Sequence, residues 1–237
     1  MLQALDADVA ALTEADDPSA VETLAGRLGM DWVWERGSGR RHLATLSKLP
    51  VLASRVHRRR PLTQGVLQAR LQTTNGPLTV YNAHLLPEML LPFEIRRWQA
   101  VGQLLRVIRD ESPGPHLVVG DLNSVAPGDP TRRPRHPVGL RRLMFLQGHI
   151  VFRFALRRLL RSGYTDCFRA TQPDAPGYTF MPGTPLTRYD YILADREVAR
   201  GLLHCRVADE IPGVAEASDH LPVVAEFDLR GCMNDAG

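Results

Sequence analysis

At 237 residues and 26.4 kDa, with 44% hydrophobic and 23% charged residues and a mean hydropathy of −0.18, the chain can bury a substantial core and is neither disordered nor collagen-like. No stretch approaches the roughly 18 uninterrupted apolar residues of a membrane span. Net charge is only +3, but Lys48 is the sole lysine and the arginines are unevenly spread: nine of them, and no acid, lie between Thr131 and Thr165.

The opening MLQALDADVAALTE reads as a helical stretch from Leu2 to Ala7, then a short buried strand from Asp8 that ends in the carboxylate of Glu14. It places no basic segment ahead of an apolar one, so as given it reads without a secretory signal. Pro18 and Ser19 open a second helix that runs to Gly29. Leu43–Leu46, Val51–Val56 and Gly65–Gln72 are short, partly alternating runs divided by Pro50, Pro61 and Asn75-Gly76, which is the punctuation of antiparallel hairpins. Leu78–His84 is a further strand. Phe93–Asp110 has helical spacing, stopped by Pro113-Gly114-Pro115, and Leu117–Gly120 is an apolar strand that runs into a loop at Asp121. The basic segment, 131–165, includes a helical pattern over Phe154–Leu160. Tyr178–Met181 and Tyr189–Ala194 read as strands, Glu197 sits in a short helix, and Cys205–Asp209 and Leu221–Leu229 close the chain as strands. Cys167, Cys205 and Cys232 are odd in number, far apart and without C-x-x-C spacing. They form neither a disulfide framework nor a zinc site, and a reducing compartment, the cytoplasm, is the expectation. No repeat or long linker interrupts the pattern, so residues 1–237 read as one layered α/β domain with two packed, largely antiparallel sheets.

Four apolar strands finish in residues that bind metals or move protons: Leu12-Thr13-Glu14, Tyr81-Asn82-Ala83-His84, Gly120-Asp121-Leu122-Asn123 and Ser218-Asp219-His220-Leu221-Pro222. A fifth cluster, Arg188-Tyr189-Asp190-Tyr191-Ile192, opens one. Polar side chains at strand ends lie on the rim of a sandwich, where several can converge without being buried unpaired. Taken singly, each has an ordinary structural explanation, as a turn residue, a cap or a satisfied histidine.

In this order and together, the five elements resemble the endonuclease/exonuclease/phosphatase superfamily, and they span Asp8 to Phe227. The resemblance implies a four-layer α/β/β/α sandwich of two mostly antiparallel sheets. It also implies hydrolysis of a phosphoric ester by water with Mg2+, or alternatively Mn2+. By the same resemblance Glu14 and Asp219 are the metal-region carboxylates, His220 is the catalytic histidine and Asp190 orients it. Asp121 and Asn123 position the nucleophile and a phosphate oxygen, and Asn82 and His84 donate to phosphoryl oxygens. Either Asp121 or His220 serves as the base. The chain departs from the pattern at its start: the family's first strand, which ends in a metal-organising Asn, has no counterpart because Glu14 lies so close to Met1. A late start, a truncation or a genuine absence would each account for this, and the consequence is an unpaired sheet edge and one fewer oxygen ligand.

Arg132, Arg133, Arg135, Arg141 and Arg142 adjoin the Asp121 loop and are candidates to contact a polyanionic substrate, nucleic acid or anionic lipid; a coding bias toward arginine on solvated faces is the competing explanation. With its Phe and Leu residues, the same segment also suits an anionic membrane surface. Trp32, Trp34 and Trp98 read as core or surface packing. The leading expectation is a nucleic-acid phosphodiesterase, ahead of a lipid or inositol phosphate hydrolase. The rival from another class is a non-catalytic binding protein.

Overall fold

Turn residues and alternating apolar positions build the central sheet. β4 (Val51–His57), β5 (Val66–Thr73) and β6 (Gly76–Ala83) are antiparallel, and the β5–β6 hairpin closes with Thr73 opposite Gly76. α3 (Leu91–Glu111) then crosses the sheet and returns the chain in the same direction, so β7 (His116–Asp121) pairs with β6 in parallel rather than antiparallel. β9 (Asp190–Ala194) and the short β8 (Thr165–Asp166) complete the strand order β4-β5-β6-β7-β9-β8. The computed structural model describes residues 1–36, 42–60, 62, 65–132 and 145–230.

Alternation sends the two faces of this sheet into separate cores. Tyr81, Val118 and Leu193 point toward α3 and α4 (Phe154–Arg161), where they meet Val101, Leu104, Leu156 and Leu159. Leu71, Val80, Leu117 and Val119 point the other way, toward a second strand layer. That layer contains β1 (Val9–Thr13), β2 (Asp31–Glu35) and β3 (Leu43–Ser47) in the order β1-β3-β2, and separately the pair β10 (Leu202–Val207) and β11 (Val223–Phe227). α2 (Pro18–Leu28) covers its outer side, packing Val21 and Ala25 on Leu46, Trp32 and Trp34. Its limits follow from the sequence: the Asp17 carboxylate accepts from the Ser19 amide at 2.9 Å, Pro18 occupies the first turn, and Gly29 turns left-handed at φ 65°. The result is the four-layer α/β/β/α sandwich.

Several local expectations shift. β2 is not among the expected strands because its run of strand-favouring residues, Trp32-Val33-Trp34, is only three residues long between two acids, yet it pairs along its length with β3. Tyr178–Met181 forms only isolated bridges, Phe180 to Thr187 and to His220, rather than a strand. The first helix, α1 (Leu2–Leu5), stops short of Ala7, and β10 starts earlier than Cys205. α5 (Cys167–Thr171), α6 (Arg196–Ala199) and α7 (Val214–Ala217) are short connectors. Among the described residues β1 pairs only with β3 and β11 only with β10, so the second layer is in two pieces.

Candidate active site

The β7–β9 ladder sets the first distance in the site. Asp121, the last residue of β7, lies directly opposite Asp190, the first of β9, so two carboxylates are brought together by register alone. Gly120 makes this possible. Its φ is 118°, and a Cβ there would stand 2.2 Å from the Ala83 carbonyl oxygen, so only glycine lets β7 approach the end of β6 so closely.

Two imidazoles flank Asp121. His84, just past β6, places Nε2 3.5 Å from Asp121 Oδ2, and His220 places its Nε2 4.0 Å from the same oxygen. The other ring nitrogen of His220, Nδ1, is 2.7 Å from Asp190 Oδ2. A carboxylate at Nδ1 holds the proton there and fixes the ring, which turns Nε2 toward Asp121. Asn123, left-handed at φ 47°, steadies Asp121: its amide donates to Oδ1 at 2.8 Å, and its side-chain Nδ2 donates to Oδ2 at 2.9 Å and to the Leu85 carbonyl at 3.0 Å.

Burial, reinforced by the neighbouring charges of Asp190 and Glu14, pushes Asp121 well above the ordinary carboxylate range, against the opposing pull of His220 and the Asn123 amide. Burial pulls His220 down, but the hydrogen bond to Asp190 and the charges of Asp190, Asp121 and Asp219 outweigh it and push the imidazole up to about 9. Near neutral pH the site therefore holds a cationic His220 facing a carboxyl group with raised proton affinity. Such a pair can both stabilise an anion and accept a proton.

The remaining candidates are placed as follows. Glu14 lies just past β1 in a left-handed turn at φ 55°, is exposed, and its charge reaches Asp121. Asp219 is exposed, next to His220, and its carbonyl accepts from the Met181 amide at 2.8 Å. Asn82 departs from the expected role. Its two amide hydrogens are committed to the carbonyls of Leu12 at 3.0 Å and Ala44 at 2.9 Å, so it ties β6 to β1 and β3 across the sheets instead of donating at the rim. Arg132 is exposed, with its guanidinium 4.9 Å from the centre of the Tyr178 ring. Arg133, Arg135, Arg141 and Arg142 lie outside the described residues.

The donors present suit a hard cation. Glu14, Asp219, Asp121 and Asp190 offer only oxygen, and Asn82 Oδ1 is buried without a hydrogen-bond partner. Among the described residues no three His, Cys, Asp or Glu side chains are grouped to enclose a metal ion. An ion here would take one or two protein carboxylates and complete its shell from water and substrate, which Mg2+ tolerates.

Sequence reading missed the support beneath this rim. Arg188, fully buried, donates to both oxygens of Asp166 at 2.7 and 2.5 Å and to Asp129 at 2.8 Å, while Arg169 holds the other oxygen of Asp129 at 2.8 Å. Tyr191 Oη accepts from the Ala126 amide at 3.0 Å and lies 2.9 Å from the Ser124 carbonyl; Ser124 Oγ donates to Glu94 at 2.9 Å. Together these bonds clamp the loop after Asp121 to the strand that carries Asp190. Thr179 Oγ1 accepts from the Tyr189 and Asp190 amides, and its carbonyl accepts from the Leu221 amide, which joins the Asp190 and His220 segments. In the sequence Asp129 looks like any turn residue of a Pro-Gly-Asp-Pro stretch, and Arg188, two residues before Asp190, carries no sign there of being buried.

Comparison with known proteins gives the family and the fold. The profile described as the Endonuclease/Exonuclease/phosphatase family matches residues 1–220. An AP endonuclease from Archaeoglobus fulgidus shares the fold with a TM-score of 0.75 and 21% identity, over 96% of this chain and 91% of that one. The 3' phosphatase NExo from Neisseria, solved with a product DNA hairpin, gives 0.66 and 22% over 93% and 89%. An endonuclease/exonuclease/phosphatase from Bacteroides vulgatus gives 0.66 and 16% over 96% and 87%. A search of curated proteins found no match.

Proposed function

The chain belongs to the endonuclease/exonuclease/phosphatase family, and from that premise we propose that it is a divalent-metal-dependent phosphodiesterase acting on nucleic acid. The observation that carries the reading is the Asp190–His220–Asp121 array, with its 2.7 Å bond and its raised proton affinities. The AP endonuclease and the DNA-bound 3' phosphatase among the structural neighbours favour nucleic acid as the substrate class.

Asp121 accepts the proton of the attacking water, because its burial beside other carboxylates raises its basicity above that of an ordinary carboxylate. Asn123 aims that carboxylate. His220, held by Asp190, presents a positive Nε2–H to the phosphoryl oxygens, where negative charge gathers in the transition state, and His84, whose Nε2 also lies beside Asp121, would donate a hydrogen bond to them. Glu14 and Asp219 would hold the cation. When bound, Mg2+ or Mn2+ would supply Lewis-acid stabilisation of the charge on the phosphoryl oxygens. Arg132, outside the reacting centre, would contact a flanking phosphate.

The test is hydrolysis of plasmid, abasic duplex, inositol phosphates and phospholipids by the purified chain, with and without Mg2+, alongside His220→Ala and Glu14→Ala. Divalent-dependent cleavage of a nucleic acid that both variants lose supports the reading. Cleavage of inositol phosphate or lipid alone would move the substrate class, and folded protein inactive on the whole panel would leave a binding protein.

A further inference from the structure

The acid-free, arginine-rich part of the sequence is only partly used by the site, and its described half shows an unusual surface. Phe145, Leu146 and Ile150 are 71%, 79% and 53% exposed, and Ile95, Trp98 and Phe154 are each more than a third exposed. These residues are joined. Gln147 accepts from the Leu91 amide at 3.1 Å and donates to the Met89 carbonyl at 3.2 Å, which fastens the 145–150 turn to the start of α3. Ile95 and Trp98 follow Leu91 at four and seven residues, one helical face. α4 lies alongside: Ala155, Leu156 and Leu159 are buried, while Phe154, Arg157 and Arg161 face out, and Arg158 stacks 4.5 Å over the Trp98 ring.

We propose that this outer face of the α3–α4 layer docks on an anionic membrane surface. Charge selects the occupant. From Phe145 to Thr165 there is no acid, and on α3 none between Glu94 and Asp110. Glu94 itself is buried against Arg97 at 2.9 Å, which leaves Glu88, in the loop ahead of α3, as the neighbouring exposed carboxylate. Arg96, Arg157 and Arg161 are exposed beside the apolar side chains. A protein interface gathers apolar residues in a centre depleted of charge, whereas here Arg96 follows Ile95, Arg158 stacks on Trp98 and Arg157 lies one turn beyond Phe154. Nucleic acid would engage the arginines and leave Phe145, Leu146 and Ile150 in water. A bilayer of acidic lipids uses both: phenyl and aliphatic groups enter the boundary between headgroups and acyl chains while guanidinium groups reach up to phosphate. The patch rests on surface geometry alone and stands whether or not the hydrolase reading does.

The experiment is co-sedimentation of the full chain with vesicles of phosphatidylserine and phosphatidylcholine, against vesicles of phosphatidylcholine alone. Binding should require phosphatidylserine. Replacing Phe145, Leu146 and Ile150 together by Ser should lower partitioning at least tenfold, and Arg157→Gln with Arg161→Gln by about fivefold per arginine, with thermal unfolding unchanged in both variants. Wild-type protein that stays in solution with phosphatidylserine vesicles overturns the proposal. So does a triple serine variant that still sediments like wild type while the arginine variant does not, because that pattern marks a general polyanion surface, such as one for nucleic acid.

Discussion

Removing the guanidinium of Arg188 while keeping its bulk, Arg188→Met, strips three hydrogen bonds from two buried carboxylates. Asp129 keeps Arg169, but among the described residues Asp166 is left with only the Arg169 amide that it caps. Breaking one side of a buried ion pair costs about 3–5 kcal/mol, chiefly because the remaining charge stays buried without compensation. For a domain of this size each kcal/mol moves the midpoint by about 2–4 °C, so the variant should melt about 6–20 °C below wild type. Urea unfolding at constant slope measures the same loss at one temperature. Adding Asp129→Asn and Asp166→Asn should recover part of it, since the charges left stranded are then gone. A single variant within about 1 kcal/mol of wild type, or a triple variant less stable than the single, would refute the clamp as an ion-pair device.

Asp190→Asn should drop the His220 midpoint from about 9 toward the ordinary imidazole value, as read by histidine ring resonances in an NMR titration. The folded value is raised, so the stabilisation that His220 gives is complete below its unfolded pKa and fades as pH climbs through about 9; wild type should lose up to about 3 kcal/mol more than Asp190→Asn over that window. A midpoint unchanged by the substitution would exclude Asp190 as its cause. Gly120→Ala should cost several kcal/mol by chemical denaturation, because the added carbon would meet the Ala83 carbonyl at 2.2 Å; a near-neutral effect would contradict the close β6–β7 approach. Arg132→Ala should weaken nucleic-acid binding at low salt and flatten the salt dependence by about one unit of slope, whereas parallel salt plots would remove Arg132 from phosphate contact.

The rim was legible in the sequence because each of its residues ends or opens an apolar strand, and such residues have nowhere to go but the sandwich edge. Register then did what pattern could not. Asp121 and Asp190 are opposite each other only because β7 and β9 pair as they do, and residues so far apart carry no local sign of it. Asn82 shows the limit most clearly: the family resemblance implies a substrate contact, but alternation along β6 turns it inward, where two carbonyls from the other layer take its hydrogens. The Asp129–Arg188–Asp166 cluster was hidden for a similar reason. Its members lie in three separate segments, and an aspartate between glycine and proline has a sufficient local explanation as a turn residue. The parallel β6–β7 pairing followed from the length of the intervening helix, a tertiary effect that strand patterns do not record.

The central claim is that Asp121 and His220 act together on a phosphodiester. It is tested most directly by single-turnover cleavage of a labelled oligonucleotide duplex with Mg2+, using wild type, His220→Ala and Asp121→Asn, each shown to be folded by thermal unfolding. Wild type should cleave only with the divalent ion, and each variant should be slower by a factor of about 100 or more, with the two losses not multiplying in the double variant. Cleavage that survives both substitutions, or that proceeds equally well in excess chelator, would contradict the account.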